Sequence, residues 1–461
     1  MKYEKILQKI LQKIKPDQRQ LKEEKKFIEE LLLKIKSIKG KHIDVVVAGS
    51  VARNTHLKDN RDIDIFLLFP TALSDEEFRK EGLRIAKKVF GKNKYELAFA
   101  QHPYVRGIIK NFDVEIVPSF KISDTTQIRS AVDRTPFHNK YLQKKLSLQQ
   151  KDEVRLLKQF LRGIKCYGAE IKTSSFSGYL TELLILYYGT FLETLKNAAE
   201  WKKPTIIDIE HYYENEKIIA ERFKEHFIVI DPTDSRRNVA SAVSYNQFCR
   251  FIAASREFLK KPSQKFFFDF ERKKIPLNKI KKILSEKELV TLYAKYPKEY
   301  VAEIVWGQLK RLCKILHQNL SKNEFRIFRI QPFTDEKNFC LLVIALENRI
   351  LQKVHKIVGP ELVMKEHCEK FLQKHRKCYA GPRIENGRLV VEEFRKYWKV
   401  EPLLNNIIKN LLKQKETKKP MKKLLKDTKI YNETMLIKLC KKNINAQKFL
   451  SEFLRGKEIF Y

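Results

Sequence analysis

The stretch that decides the fold is residues 43–70, IDVVVAGSVARNTHLKDNRDIDIFLLFP. Residues 43–48 are rich in β-branched side chains and read as a strand, which Gly49 breaks. Ser50 to Asn54 read as the start of a helical turn, and a second strand runs from Asp62 to Phe69 before Pro70 ends it. Asp62 and Asp64 are two apart on that strand, so their side chains leave the same face. Asp64 stands among Ile63, Ile65, Phe66, Leu67 and Leu68. A carboxylate in so apolar a strand is costly unless it is paired or coordinates a cation. Mg²⁺ takes oxygen ligands and is commonly shared between carboxylates and substrate phosphates. Two such ions can serve an attacking hydroxyl and a leaving pyrophosphate. Gly49 lets the backbone approach a ligand closely, and the Ser50 hydroxyl with the turn amides offers donors to phosphate oxygens.

Working outward, a third carboxylate comes from residues 112–117, a strand ended by Pro118. Asp113 and Glu115 share one face of it, and the residues alone leave both as metal ligands. Ser74 followed by Asp75, Glu76 and Glu77 caps a helix running to Phe90, and residues 95–100 and 104–110 read as strands. The order β-α-β-β-β predicts a small mixed sheet with helices on one side. Ahead of it lie an amphipathic helix ending near Pro16 and a long charged helix over 17–39. Residues 152–262 are mostly helical, with helices predicted over 154–164, 178–199 and 246–259, a loop over 163–177 and a short strand at 226–231. Strand, helix, strand, strand at 289–295, 300–320, 324–332 and 338–345 form a β-α-β-β unit of the kind often used on RNA. Helices over 361–374 and 399–413 follow, and residues 418–423 read as a solvated basic segment.

The expected fold is therefore α+β and multidomain, in four segments. These are a mixed-sheet head (1–143), a helical central domain (144–262), a β-α-β-β body (263–360) and a basic α/β tail (361–461). Lys plus Arg is 94 and Asp plus Glu is 56, a net charge of +38, while 43% of residues are hydrophobic. That hydrophobic share excludes a disordered chain, and so large a positive charge points to a polyanionic partner, nucleic acid above all. Seven cysteines without a C-x-x-C pair argue for a reducing, cytoplasmic setting. No apolar run approaches the ~18 residues of a membrane span. The Lys-rich opening residues lack the pattern of a signal peptide. His367, Cys368, His375 and Cys378 are a zinc-type set of ligands, but at a spacing matching no common finger.

Two motifs, Gly49–Thr55 and Asp62–Pro70, resemble the nucleotidyltransferase (DNA polymerase β-like) superfamily. More narrowly, residues 101–105 (QHPYV), 130–138 (SAVDRTPFH), 154–158, 166–170, 176–180, 237–240, 358–360 and 384–388 resemble the archaeal (class I) CCA-adding enzymes. The likeness covers most of the chain and thins in the last part. It implies that CTP and ATP are used to add C, C and A to the tRNA acceptor end, with release of pyrophosphate. By the family pattern, Ser50 and Arg53 hold the triphosphate. Asp62, Asp64 and Glu115 ligate two Mg²⁺ ions. Many members carry Asp where this chain has Glu115, which keeps Asp113 as the alternate ligand. His138, Lys158 and Tyr167 contact the nucleotide, and Arg237 faces its base. A homodimer is compatible with the chain, and no feature of the sequence selects it. The rival readings are a poly(A) polymerase or other terminal RNA nucleotidyltransferase, and a non-catalytic basic RNA-binding protein.

Overall fold

The computed structural model describes residues 3–99, 102–268 and 273–461. The end of the strand predicted over 95–100 and Gln101, quoted with the family likeness, lie outside the described residues. The chain divides into two compact units, residues 1–271 with 459–461, and residues 272–458.

The first unit opens with α1 (Glu4–Ile14) and α2 (Gln18–Ile38), then β1 (Asp44–Ala48), α3 (Gly49–Ala52) and β2 (Asp62–Phe69). Next come α4 (Asp75–Phe90), β3 (Tyr95–Phe99), β4 (Pro103–Ile109) and β5 (Phe112–Phe120). The sheet order is β1-β2-β5-β4-β3, with β2 and β5 parallel and the other neighbours antiparallel. This is the mixed sheet that the β-α-β-β-β order predicts. Ser74 caps α4 reciprocally with Glu77, as the sequence suggests. Strand alternation sorts the two faces: Ile63, Ile65, Leu67, Val114 and Ile116 bury against Phe27, Leu31 and Ile35 of α2 and Phe78, Ile85 and Val89 of α4. Both helices cover that one face, which leaves the Asp62 and Asp64 face open to chemistry.

The unit continues through α5 (Thr135–Lys145), α6 (Leu148–Gly163), α7 (Gly178–Tyr188), α8 (Phe191–Ala199), β6 (Thr205–Ile207), α9 (Glu216–Phe223), β7 (Phe227–Asp231), β8 (Asp234–Asn238) and α10 (Tyr245–Lys260). Residues 178–199 form two helices where the periodicity predicts one. Gly189 adopts φ +87°, and the Thr190 side chain accepts from Glu193 N–H to start the second. The predicted strand near 226–231 is β7, the middle of a three-stranded sheet of order β6-β7-β8. The helices enclose an aromatic-rich core that includes Phe160, Phe176, Phe191, Phe251 and Phe258.

In the second unit, α11 (Leu277–Glu286), β9 (Leu289–Lys295), α12 (Ala302–Lys322), β10 (Ile327–Thr334) and β11 (Phe339–Leu346) realise the predicted strand-helix-strand-strand unit. They are followed by β12 (Val354–Glu361), α13 (Lys365–Lys374), β13 (Ala380–Glu385), β14 (Arg388–Phe394), α14 (Val400–Lys413), α15 (Lys419–Lys426) and β15 (Lys429–Tyr431). β15 pairs with β9 to complete a sheet of order β10-β11-β9-β15, and Leu404, Ile408 and Met421 share a core with Leu309 and Leu342. The division drawn at residue 360 thus crosses one sheet and one core. Residues 418–423, read as a solvated segment, belong largely to α15, which buries Met421, Leu424 and Leu425 while its lysines face water. In the set of possible zinc ligands, the Cys368 and Cys378 thiols donate to the Glu361 and Gly381 carbonyls, and His375 pairs with Glu393. Among the described residues no helix is long and apolar enough to cross a membrane.

Candidate active site

Register gathers the carboxylates. Parallel pairing of β2 with β5 sets Asp64 opposite Glu115 and Asp62 opposite Asp113. All four line one cavity of 610 Å³ together with Lys94, Glu96 and Arg106. Asp113 is exposed, whereas Asp62, Asp64 and Glu115 are half-buried. Burial, then the charges of Glu115 and Asp62, push the Asp64 carboxyl up to about 7, with Arg53 pulling the other way. Burial also raises the Asp62 and Glu115 carboxyls. Arg106, opposite Glu115 on β4, is itself bonded to Glu96 at 2.7 Å. Arg106 and Arg53 pull against these shifts without reversing them, so the cluster gathers like-charged oxygen donors, the donor set of a hard divalent cation. These carboxylates share a cavity wall; among the described residues no three His, Cys, Asp or Glu side chains are set at metal-ligating spacing.

Gly49 is required beside them. It has φ +75°, and a Cβ built there would stand 1.8 Å from Asp64 Oδ2. The turn between β1 and α3 can pass the carboxylate only without a side chain. Ser50 follows on α3, half-buried next to this crossing.

Behind the carboxylates lies a buried charge network that joins the sheet to α6 and α7. Arg53 donates through Nε and Nη2 to the two Glu182 oxygens at 3.2 and 2.9 Å, and through Nη1 to Asn139 Oδ1 at 3.0 Å. Thr55 Oγ1 also donates to Glu182. Lys158 Nζ lies 3.1 Å from the Thr55 carbonyl and 3.4 Å from Glu182 Oε1. Burial brings Lys158 down to about 8 against the pull of Glu182. Burial pushes the Glu182 carboxyl upward, but Arg53 and Lys158 outweigh it and hold it below its ordinary value. Arg155 on α6 anchors the same loop by donating to the His56 and Asn54 carbonyls. Tyr167 stands beside the start of α7, its hydroxyl 3.0 Å from where a Gly178 Cβ would lie, with Arg162 5.5 Å above its ring. Burial, then Glu182, push the Tyr167 hydroxyl up to about 12, so it stays protonated as a donor.

A second hub is Asp231, fully buried at the end of β7. Its Oδ2 accepts from Arg237 Nη1 at 2.7 Å and lies 2.8 Å from His138 Nε2. Burial holds His138 below its ordinary value, which Asp231 only partly offsets. Because a carboxylate only accepts, Nε2 carries a proton in this contact. The ring stacks on Tyr179 with centroids 3.9 Å apart.

Of the residues singled out from sequence, Asp62, Asp64 and Glu115 meet in one cavity. Arg53 and Lys158 meet at Glu182, and His138 and Arg237 meet at Asp231. Arg53 is engaged inside the protein through all three of its nitrogens. Arg237 sits on β8. Sequence reasoning missed Glu182, Asp231 and Tyr179. The signal was present for the two acids: Glu182 lies within Leu180-Thr181-Glu182-Leu183-Leu184 and Asp231 ends Phe227-Ile228-Val229-Ile230, the same apolar setting that marks Asp64.

Known proteins resemble this chain over most of its length. Residues 25–138 match the nucleotidyltransferase domain family, and residues 152–268 match the second domain of tRNA nucleotidyltransferase. Residues 287–432 match the C-terminal domain of the CCA-adding enzyme. The CCA-adding enzyme of Archaeoglobus fulgidus is 38% identical over 398 residues, covering 86% of this chain and 87% of that one. The CCA-adding enzyme of Methanocaldococcus jannaschii is 39% identical over 417 residues, covering 88% and 90%. Among solved structures, a Cid1 poly(U) polymerase aligns with a TM-score of 0.45 at 18% identity, over 58% of this chain and 97% of that one. Identity at this level, sustained across nearly nine-tenths of two relatives, means that the chain belongs to the CCA-adding enzymes, a family of tRNA nucleotidyltransferases.

Proposed function

We propose that the protein completes the 3′ end of tRNA, adding C, C and A in turn from CTP and ATP and releasing pyrophosphate at each step. The observation that carries this reading is the meeting of Asp62, Asp64 and Glu115 on adjacent strands beside the Gly49 turn, in a chain of this family. The tRNA 3′ hydroxyl attacks the α-phosphorus of the nucleotide. The new oxygen–phosphorus bond forms as the bond to pyrophosphate breaks, and the hydroxyl proton passes to solvent. Catalysis is then mainly positioning and charge neutralisation.

Asp62, Asp64 and Glu115, with Asp113 as alternate, are the residues that would hold Mg²⁺ in a two-ion site. Bound there, the ions supply positive charge to the attacking and leaving oxygens. Ser50 holds the triphosphate. Arg53, tied to Glu182, sets its charge near Asp64. Lys158 and Tyr167 support the nucleotide from α6 and the loop after it, His138 contacts it from α5, and Arg237 faces its base.

Nucleotide chemistry lies at the N-terminal end of the chain, and the basic remainder grips the acceptor stem. The protein's seven free cysteines suit work on tRNA in the cytoplasm. The test is pyrophosphate release on mixing the protein with CTP, Mg²⁺ and a tRNA lacking its CCA end. Release that needs all three and stops on adding a chelator supports the reading. Release without a divalent ion, or none with any RNA, contradicts it.

A further inference from the structure

Asp231 is a fully buried carboxylate that takes no part in the reaction described above. Its two oxygens are heavily used. Oδ2 takes Arg237 Nη1 at 2.7 Å and His138 Nε2 at 2.8 Å. Oδ1 takes the Tyr179 hydroxyl at 3.1 Å, Thr233 N–H at 3.0 Å and the Thr233 hydroxyl at 2.9 Å. The stacked His138 and Tyr179 rings wall in the carboxylate, so its plane is set from both ends. Arg237 differs from its anchor: its side chain is 35% exposed and is held through one nitrogen. Its Nε and Nη2 have no protein acceptor among the described residues. A guanidinium clamped at one corner by an immobile carboxylate presents its other donors in one direction.

We infer that Asp231 is a positioning residue that sets which nucleotides the site accepts, by fixing the direction of Arg237. The inference rests on the proposed role of Arg237 at the base. Cytosine and adenine share a ring-nitrogen acceptor next to an exocyclic amine. Uracil and guanine carry an N–H at the corresponding ring position, next to a carbonyl. Arginine offers donors only. Held in one orientation, its N–H groups bond to the ring nitrogen of C or A and oppose the ring N–H of U or G. Free to swing, the same guanidinium turns to the neighbouring carbonyl of U or G and the distinction fades. Selectivity for C and A over U and G therefore depends on Arg237 being immobile as well as present.

The test is a competition in one reaction between CTP and UTP on a tRNA lacking its CCA end, read as the ratio of C to U incorporated at the first position. Both nucleotides compete for the same active molecules, so a purely structural loss of active protein leaves the ratio unchanged. Asp231→Asn removes the charge and is expected to lower the ratio by about tenfold, the worth of one charge-assisted hydrogen bond. Asp231→Glu keeps the charge but moves it by one methylene, and is expected to lower the ratio as well. Tyr179→Phe keeps the stacked ring and deletes one bond to Oδ1; it is expected to give a smaller drop, and it carries the test if the Asp231 variants fail to fold. A wild-type ratio in the folded variants overturns the positioning role. A ratio restored in Asp231→Glu also overturns it, because charge and not position is then what matters. Wild-type protein that takes U as readily as C is a different failure, that of the proposed function itself.

Discussion

Gly49→Ala tests the link between backbone and chemistry most sharply. The added Cβ would lie 1.8 Å from Asp64 Oδ2 and 2.8 Å from its Cγ. Non-bonded heavy atoms prefer about 3.5–4.0 Å, so the carboxylate must retreat by more than about 1 Å. Displacing a reacting group by about 1 Å can cost about 100-fold in rate. The left-handed φ of +75° adds strain of roughly 1–2 kcal/mol for a residue with a Cβ. For a unit of this size that lowers Tm by about 2–8 °C. The assay is single-turnover addition of C to a tRNA lacking its CCA end, alongside a thermal melt and a tRNA-binding titration. The expected result is a fall of about 100-fold in rate, a melt lowered by a few degrees and unchanged tRNA affinity. A rate within about threefold of wild type would refute the reasoning, since the carboxylate would then tolerate the shift that the geometry forbids.

Three further outcomes are expected. Asp64→Ala abolishes addition of both C and A while tRNA binding persists; loss of only one nucleotide's addition argues against a shared site. Glu182→Gln leaves Arg53 and Lys158 buried with one negative charge fewer. Breaking such a pair costs about 3–5 kcal/mol, and a variant melting together with wild type would contradict the buried network. With a net charge of +38, tRNA affinity falls steeply with salt, by about 1000-fold between about 50 and 200 mM if about six phosphates are gripped; a flat response removes the phosphate grip.

The catalytic sheet was readable because its signals are local. Alternation in β2 separates Asp62 and Asp64 from Ile63, Ile65 and Leu67, and the Ser74–Glu77 pair marks the start of α4. Which carboxylate stands beside Asp64 was not readable. Asp113 and Glu115 share a face, and only the parallel pairing of β2 with β5, strands separated by two others in sequence, sets Glu115 opposite Asp64. The same non-locality hid β15, whose partner β9 lies more than a hundred residues earlier. Other misses had signals that were outweighed. Gly189-Thr190 is a stop followed by a cap, yet the apolar periodicity on either side reads through it. Met421, Leu424 and Leu425 mark a helix face, yet the surrounding lysines make the segment read as solvated. Glu182 shows the limit for site residues: its role depends on Arg53 and Lys158 arriving from two other elements.

The most direct test of the central claim is the product ladder on a tRNA transcript lacking its CCA end, with Mg²⁺ and labelled CTP and ATP supplied separately and together. The account predicts two additions with CTP alone, then one A and a stop when ATP is present. A tail of A that keeps growing, or no incorporation on any RNA, would contradict it.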